Sequence, residues 1–305
     1  MSGKNLEDLI RDVVMAELGA GALPAASAAT VAPPPQPALP AADPIGTPHR
    51  VALGKKVSRW AGLPLAPTPA TGAWAPAGSR GDYLAQTVAR LGVGRVGVRY
   101  RTDTILSFQA DHAAARDAVA SDLDPAMMAA HGLVHLQSAT RDRTEFLVRP
   151  DLGRTVSDES LAIVQQRCLR GAKVQLAAVD GLSAAAINKN LPLVFPVIVE
   201  RMKAAGVSLG TPCGISRGRV AAGDHLARST EADVLCLLVG ERPGLNTACS
   251  MGIYITYMKV QRFSEAMRYL ISNVHSGGLQ PVDGANQAAD LILQALREKR
   301  TGVVM

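Results

Sequence analysis

The side chains best suited to chemistry in this sequence sit in short polar turns that interrupt apolar runs. Glu241 and Arg242 lie in Gly240-Glu241-Arg242-Pro243-Gly244, directly after the run Val234–Val239. There a carboxylate can accept hydrogen bonds from a ligand and a guanidinium can donate them. Two more turns share this character: DGLSA (180–184) follows Val174–Val179, and SRGRV (216–220) follows a strand-like stretch at 207–215. Other spacings carry less. His131 and His135 stand four apart as on a zinc-binding helix, but Gly132 breaks that helix and no Glu follows His131. Asp111 and His112 are sequence neighbours and point to different helix faces. Gly92, Gly94 and Gly97 spell G-x-G-x-x-G, yet a helical stretch precedes them where a dinucleotide fingerprint needs a strand. Cys168, Cys213, Cys236 and Cys249 are far apart with no C-x-x-C pair, so neither a zinc knuckle nor a disulfide framework is indicated. These residues predict no metal site and no catalytic group of the chain's own.

The elements that position the turns follow from pattern. Val234–Val239 is six apolar residues in a row, too short for a typical helix and right for a strand of a parallel sheet buried on both faces. Gly240, Pro243 and Gly244 end it, because proline cannot extend a ladder and glycine allows close approach to the main chain. Val174–Val179 reads as a second such strand, with Ser183 capping the next helix. Another helix is expected from about Leu193 to Ala205, with Pro196 in its first turn, and one from about Asp224 to Glu231. This predicts an α/β fold, a mostly parallel sheet flanked by helices, with the three turns on one rim where ligands of such sheets bind.

Upstream, residues 103–120 read as a helix burying Ile105, Leu106 and Phe108, Asp124–Ala130 as a short helix, and Glu145–Arg149 as a strand. Ser157 caps a further helix. Downstream come an exposed-looking strand at Tyr254–Tyr257, the ISNVHSGG stretch (271–278) and a terminal helix over Gly284–Arg297.

Residues 5–18 place Leu6, Leu9, Ile10, Val13, Val14 and Leu18 at helical spacing, and Gly19 ends the run. Between Gly19 and Gly78 fall 12 of the 19 prolines, so this Ala/Pro-rich stretch is expected to be a disordered tether. The predicted organisation is an amphipathic helix (1–19), a linker (20–79), a smaller helical subdomain (80–155) and an α/β domain (156–305). Net charge is +6, but the basic residues are scattered and only 4% of residues are aromatic, which argues against a nucleic-acid surface. No apolar run approaches a membrane span, and Glu7, Asp8 and Asp12 occupy the place of a secretory core, so a cytoplasmic protein is expected.

In order along the chain, GRVGVRYRT (94–102), FQADHAAARDAV (108–119), VRPDLGR (148–154), DGLSA, GRV (218–220), LLVGERPGL (237–245) and ISNVHSGG resemble the small (light) subunit of ethanolamine ammonia-lyase. That resemblance implies one subunit of an adenosylcobalamin-dependent lyase that converts ethanolamine to acetaldehyde and ammonia. The catalytic barrel would belong to a large-subunit partner, and this chain would form one wall of the cobalamin site. Its cofactor contacts map onto Val220, Glu241 and Leu270, the last standing where the family usually has a cysteine. Asn246 and Cys249 depart from the family after GERPGL, and so does the segment at 258–270. Asn273-Val-His275-Ser-Gly-Gly278 comes close to the D-x-H-x-x-G of other cobalamin enzymes, but Asn273 replaces the acid that would polarise a cobalt ligand, so His275 is expected to be non-ligating. The same resemblance implies that residues 1–19 dock the enzyme on a bacterial microcompartment shell. Two rivals are a cobalamin-free scaffold paralogue, which Leu270 and Cys249 would suit, and a stand-alone binder of a phosphate ligand. The acid in GERPG disfavours the second.

Overall fold

A computed structural model describes residues 89, 90, 93 and 95–302. The expected N-terminal helix and linker therefore lie outside the described residues. Its strands are β1 (Arg95–Val96), β2 (Arg99–Tyr100), β3 (Val134–Gln137), β4 (Val174–Val179), β5 (Cys213–Ser216), β6 (Val234–Gly240), β7 (Met251–Tyr257) and β8 (Tyr269–Val274). The helices are α1 (Thr102–Ala120), α2 (Pro125–Ala130), α3 (Arg143–Val148), α4 (Asp158–Arg167), α5 (Ala184–Ala204), α6 (Val220–Ser229) and α7 (Pro281–Glu298). β1 and β2 form a small hairpin turned by Gly97 at φ +59°.

The other six strands form one sheet in the order β3-β5-β4-β6-β7-β8. β3, β5, β4 and β6 run parallel, whereas β7 and β8 are antiparallel to their neighbours. The change has a simple cause. Helices follow β4 and β5 and carry the chain back across the sheet, while no α-helix separates β6 from β7 or β7 from β8, so the chain reverses directly. The sheet takes in β3, which lies before the expected boundary at residues 155 and 156.

Two apolar clusters cover the two faces. Val234, Cys236 and Leu238 of β6 join the first with α2, α5 and α7, and Leu235, Leu237 and Val239 join the second with α4 and α6. That alternation is why a continuous apolar run is needed: both sides of the strand are core. α6 packs on β4 and β6 so closely that a Cβ on Gly223 would stand 2.6 Å from Leu237 Cδ2. α7 covers β7 and β8 from the first face, where Val274 packs against Gly284.

Several local expectations are corrected. Residues 145–148 are helical and Arg149 is the C-cap, because Asp142 caps α3 by accepting the Glu145 N–H at 2.8 Å and Glu145 reaches back to the Arg141 N–H at 2.7 Å. α5 is one helix through Pro192 and Pro196, capped by Ser183, which accepts the Ala186 N–H at 3.1 Å. α6 begins at Val220, four residues ahead of the expected Asp224, and α7 begins at Pro281. α1 turns Thr104, Ala115 and Ala118 inward, so Ile105 and Leu106 are exposed and Phe108 is half-buried. β7 is buried along its length except at Tyr254, the reverse of an exposed strand.

Candidate functional site

The three polar turns lie at the carboxyl ends of β4, β5 and β6, and a buried acid ties the first to the second. Asp180 is 0% exposed; its carboxylate accepts the N–H groups of Arg217 at 2.7 Å and Gly218 at 3.0 Å. Arg143, from α3, adds a charged bond at 3.0 Å. Burial pushes the Asp180 carboxyl above its ordinary range, while Arg143 and the two N–H groups pull the other way. The backbones of the first and third turns touch. Leu182 N–H donates to the Gly240 carbonyl at 3.1 Å, and a Cβ on Gly240 would stand 2.0 Å from the Ser183 oxygen. Glycine is required there by close approach of main chain.

The VRPDLGR motif braces the second turn. Gly153 accepts the Arg219 N–H at 2.7 Å, and Arg219 stacks its guanidinium 4.4 Å from the Phe146 ring centroid and bonds the Phe146 carbonyl at 2.9 Å. Burial lowers the Arg219 pKa and the positive charge of Arg242 lowers it further. Val220, the first residue of α6, is half-buried and packs on the second apolar cluster.

Glu241 is half-buried at the end of β6. Its carboxylate accepts from the Ser250 hydroxyl and, at 3.3 Å, from the N–H of Asn273, which holds φ at +62°. GERPG and ISNVHSGG are thereby joined. Within the latter, Gly277 N–H donates to His275 Nδ1 at 3.1 Å, and Nε2 lies 2.8 Å from Asn273 Oδ1, so both ring nitrogens are engaged in their own turn. His131 and His135 do not converge: His131 Nδ1 lies 2.9 Å from the Met127 carbonyl, His135 Nε2 2.8 Å from Ser216 Oγ.

Leu270 belongs to the same place as Glu241. It pairs with Tyr254 across β7 and β8, and Tyr254 pairs with Leu237 of β6, so the three share one face. Leu237 is 0% exposed beneath α6, whereas Leu270, two strands away, is 50% exposed. Beside α6 the sheet is thus an open shelf. Glu241, Tyr254 and Leu270 close over Gly252, itself buried: a Cβ there would stand 3.1 Å from Glu241 Oε1, 3.3 Å from Tyr254 Cε2 and 3.4 Å from Leu270 Cδ1. The missing side chain lets an acceptor, a ring and a branched apolar group pack into one cradle that any side chain at residue 252 would push apart. Such a surface suits a broad apolar ligand edged with hydrogen-bond donors.

The model of the ethanolamine ammonia-lyase light chain matches residues 81–305. This chain belongs to the ethanolamine ammonia-lyase light-chain family. The ethanolamine ammonia-lyase small subunit of Clostridium acetobutylicum is 41% identical over 222 residues, 73% of this chain and 92% of that protein. Those of Clostridium perfringens and Listeria monocytogenes are 42% and 41% identical, over 73% and 71% of this chain and 75% and 74% of theirs. The motifs on which the light-chain resemblance rested all fall within the matched residues, and GERPG, Leu270 and ISNVHSGG lie around the shelf.

Two shelf features escaped the sequence reading. Tyr254 was hidden in a strand expected to be exposed throughout. The other is the ion pair of Arg268 with Asp224, which ties the β7–β8 connection to α6; both side chains are nearly buried. Phe263 lies between Arg228 of α6 and Arg268, with its centroid 4.7 Å from the first guanidinium and 5.6 Å from the second. Nothing local in sequence pairs residues 44 positions apart.

Proposed function

We propose that this chain is the small subunit of an adenosylcobalamin-dependent ethanolamine ammonia-lyase and forms one wall of the cobalamin site against a catalytic large subunit. The observation that carries this is the convergence of Glu241, Leu270 and Tyr254 over Gly252 on an open sheet face. When bound, such a cofactor supplies a radical that starts the deamination of ethanolamine. The chain's own residues bind and orient. Glu241 accepts hydrogen bonds from amide N–H groups, its carboxylate aimed by Ser250 and Asn273. Val220 and Leu270 supply apolar surface that excludes water, and Val220 at the head of α6 can also offer its main chain. No helix of the described residues is long and apolar enough to cross a membrane.

Co-expression with a large subunit tests the reading. The pair is expected to co-purify and to shift the visible spectrum of added cobalamin. A complex that forms and takes up no cobalamin would favour the scaffold instead.

Residues 1–19 fit a shell-docking signal of a bacterial microcompartment because the amphipathic pattern precedes a proline-rich tether. Deleting them is expected to leave the subunit complex intact and to disperse it from the compartment in fluorescence images of cells. Unchanged localisation would refute the docking role.

A further inference from the structure

Tyr254 occupies the middle of the shelf. It is the one residue of β7 that is not fully buried, and it packs against the same apolar cluster as Val220. Its ring reaches the Gly252 cradle beside Glu241 and Leu270. Burial raises the phenol pKa and the Glu241 carboxylate raises it further, while Arg268 opposes both, so the group stays protonated between an acid and a guanidinium. Among the described residues no side chain or main-chain group bonds the hydroxyl, and it is not one of the buried polar atoms left without a partner, so it reaches the open side of the shelf. A ring packed on the core by one side, with its hydroxyl at the open shelf, presents an apolar face and a polar tip to whatever lies outside the chain.

We propose that Tyr254 is a further cofactor-contacting residue. Its ring is the platform between Val220 and Leu270 on which a corrinoid edge rests, and its hydroxyl bonds one of the peripheral amides. This rests on the cobalamin-wall reading above and extends it to a residue that reading does not include. A tyrosine serving only the fold would pack the same way but would not respond to the ligand.

The test uses the complex of both subunits and hydroxocobalamin as the probe. Tyr254→Phe removes the hydroxyl alone and is expected to raise the dissociation constant about 3- to 10-fold, as for one neutral hydrogen bond. Tyr254→Leu removes the platform as well and should raise it about 10- to 50-fold. In the unaltered complex, saturating hydroxocobalamin should protect Tyr254 from nitration by tetranitromethane, read by peptide mass spectrometry. This second measurement stands even if Tyr254→Leu disturbs assembly. If both variants bind normally and nitration is unprotected while Glu241→Ala loses affinity, Tyr254 is structural and the wall reading survives. If Glu241→Ala also binds normally, the wall reading itself fails.

Discussion

Replacing Asp180 with alanine is expected to destabilise the fold by about 3–5 kcal/mol, the range for removing one partner of a buried ion pair. The wild-type carboxylate is 0% exposed and satisfies three donors from two other segments. Alanine leaves the Arg217 and Gly218 N–H groups without an acceptor and strips Arg143 of its most buried counter-charge. Asp122 still pairs with Arg143 at 3.1 Å, but that acid is largely solvated and screens poorly for the loss. Arg217 also holds φ at +55°, a conformation that costs a non-glycine residue energy unless its surroundings impose it. Asp180→Asn keeps one acceptor and sets an amide N–H against a remaining donor, so it should fall between the two. Denaturant unfolding followed by circular dichroism measures both, and a loss below about 1 kcal/mol for alanine would show that the rim does not depend on this acid.

Much of this rim was legible because its signals are local. Val174–Val179 and Val234–Val239 are apolar at every position save Gln175, and each strand ends at a glycine or an acid followed by one. Their six-residue length and the turn residues that bound them decide for strand over buried helix. The three turns could be placed together since parallel strands share a carboxyl edge. What failed was of two kinds. In Glu145–Arg149 the window was too short to separate strand from helix, and the decisive signal was Asp142 followed three residues later by Glu145, a reciprocal cap. At Pro192 and Pro196 the sequence suggested a boundary, but α5 is held along its length by core contacts through Ile187, Leu191, Val194 and Ile198, and packing outweighs two missing N–H groups. The shelf was only half legible for a different reason. Val220, Glu241 and Leu270 came from family resemblance, whereas the open face beside Glu241 and Leu270 arises because α6 spans β4 and β6 and stops short of β8. That is a fact of tertiary packing with no trace in any one segment.

Glu241→Ala is expected to raise the cobalamin dissociation constant of the two-subunit complex by roughly one to two decades, the loss of one charge-assisted contact worth about 1.5–3 kcal/mol. Glu241 can do this because its carboxylate is positioned before the ligand arrives. The Ser250 hydroxyl and the Asn273 N–H hold it over Gly252, so little rotamer entropy remains to be lost on binding. Its two oxygens offer more acceptor sites than these donors use, which leaves capacity for amide N–H groups. Glu241→Gln keeps the shape and one acceptor oxygen while removing the charge, and should lose less than alanine. If Glu241 instead only joined the GERPG and ISNVHSGG turns, alanine would lower stability and leave the affinity of the folded complex unchanged. Spectral titration of the complex, paired with thermal melting of the same samples, separates these outcomes: an unaltered dissociation constant with a lowered melting temperature would remove Glu241 from the cofactor wall and make it a brace of the rim.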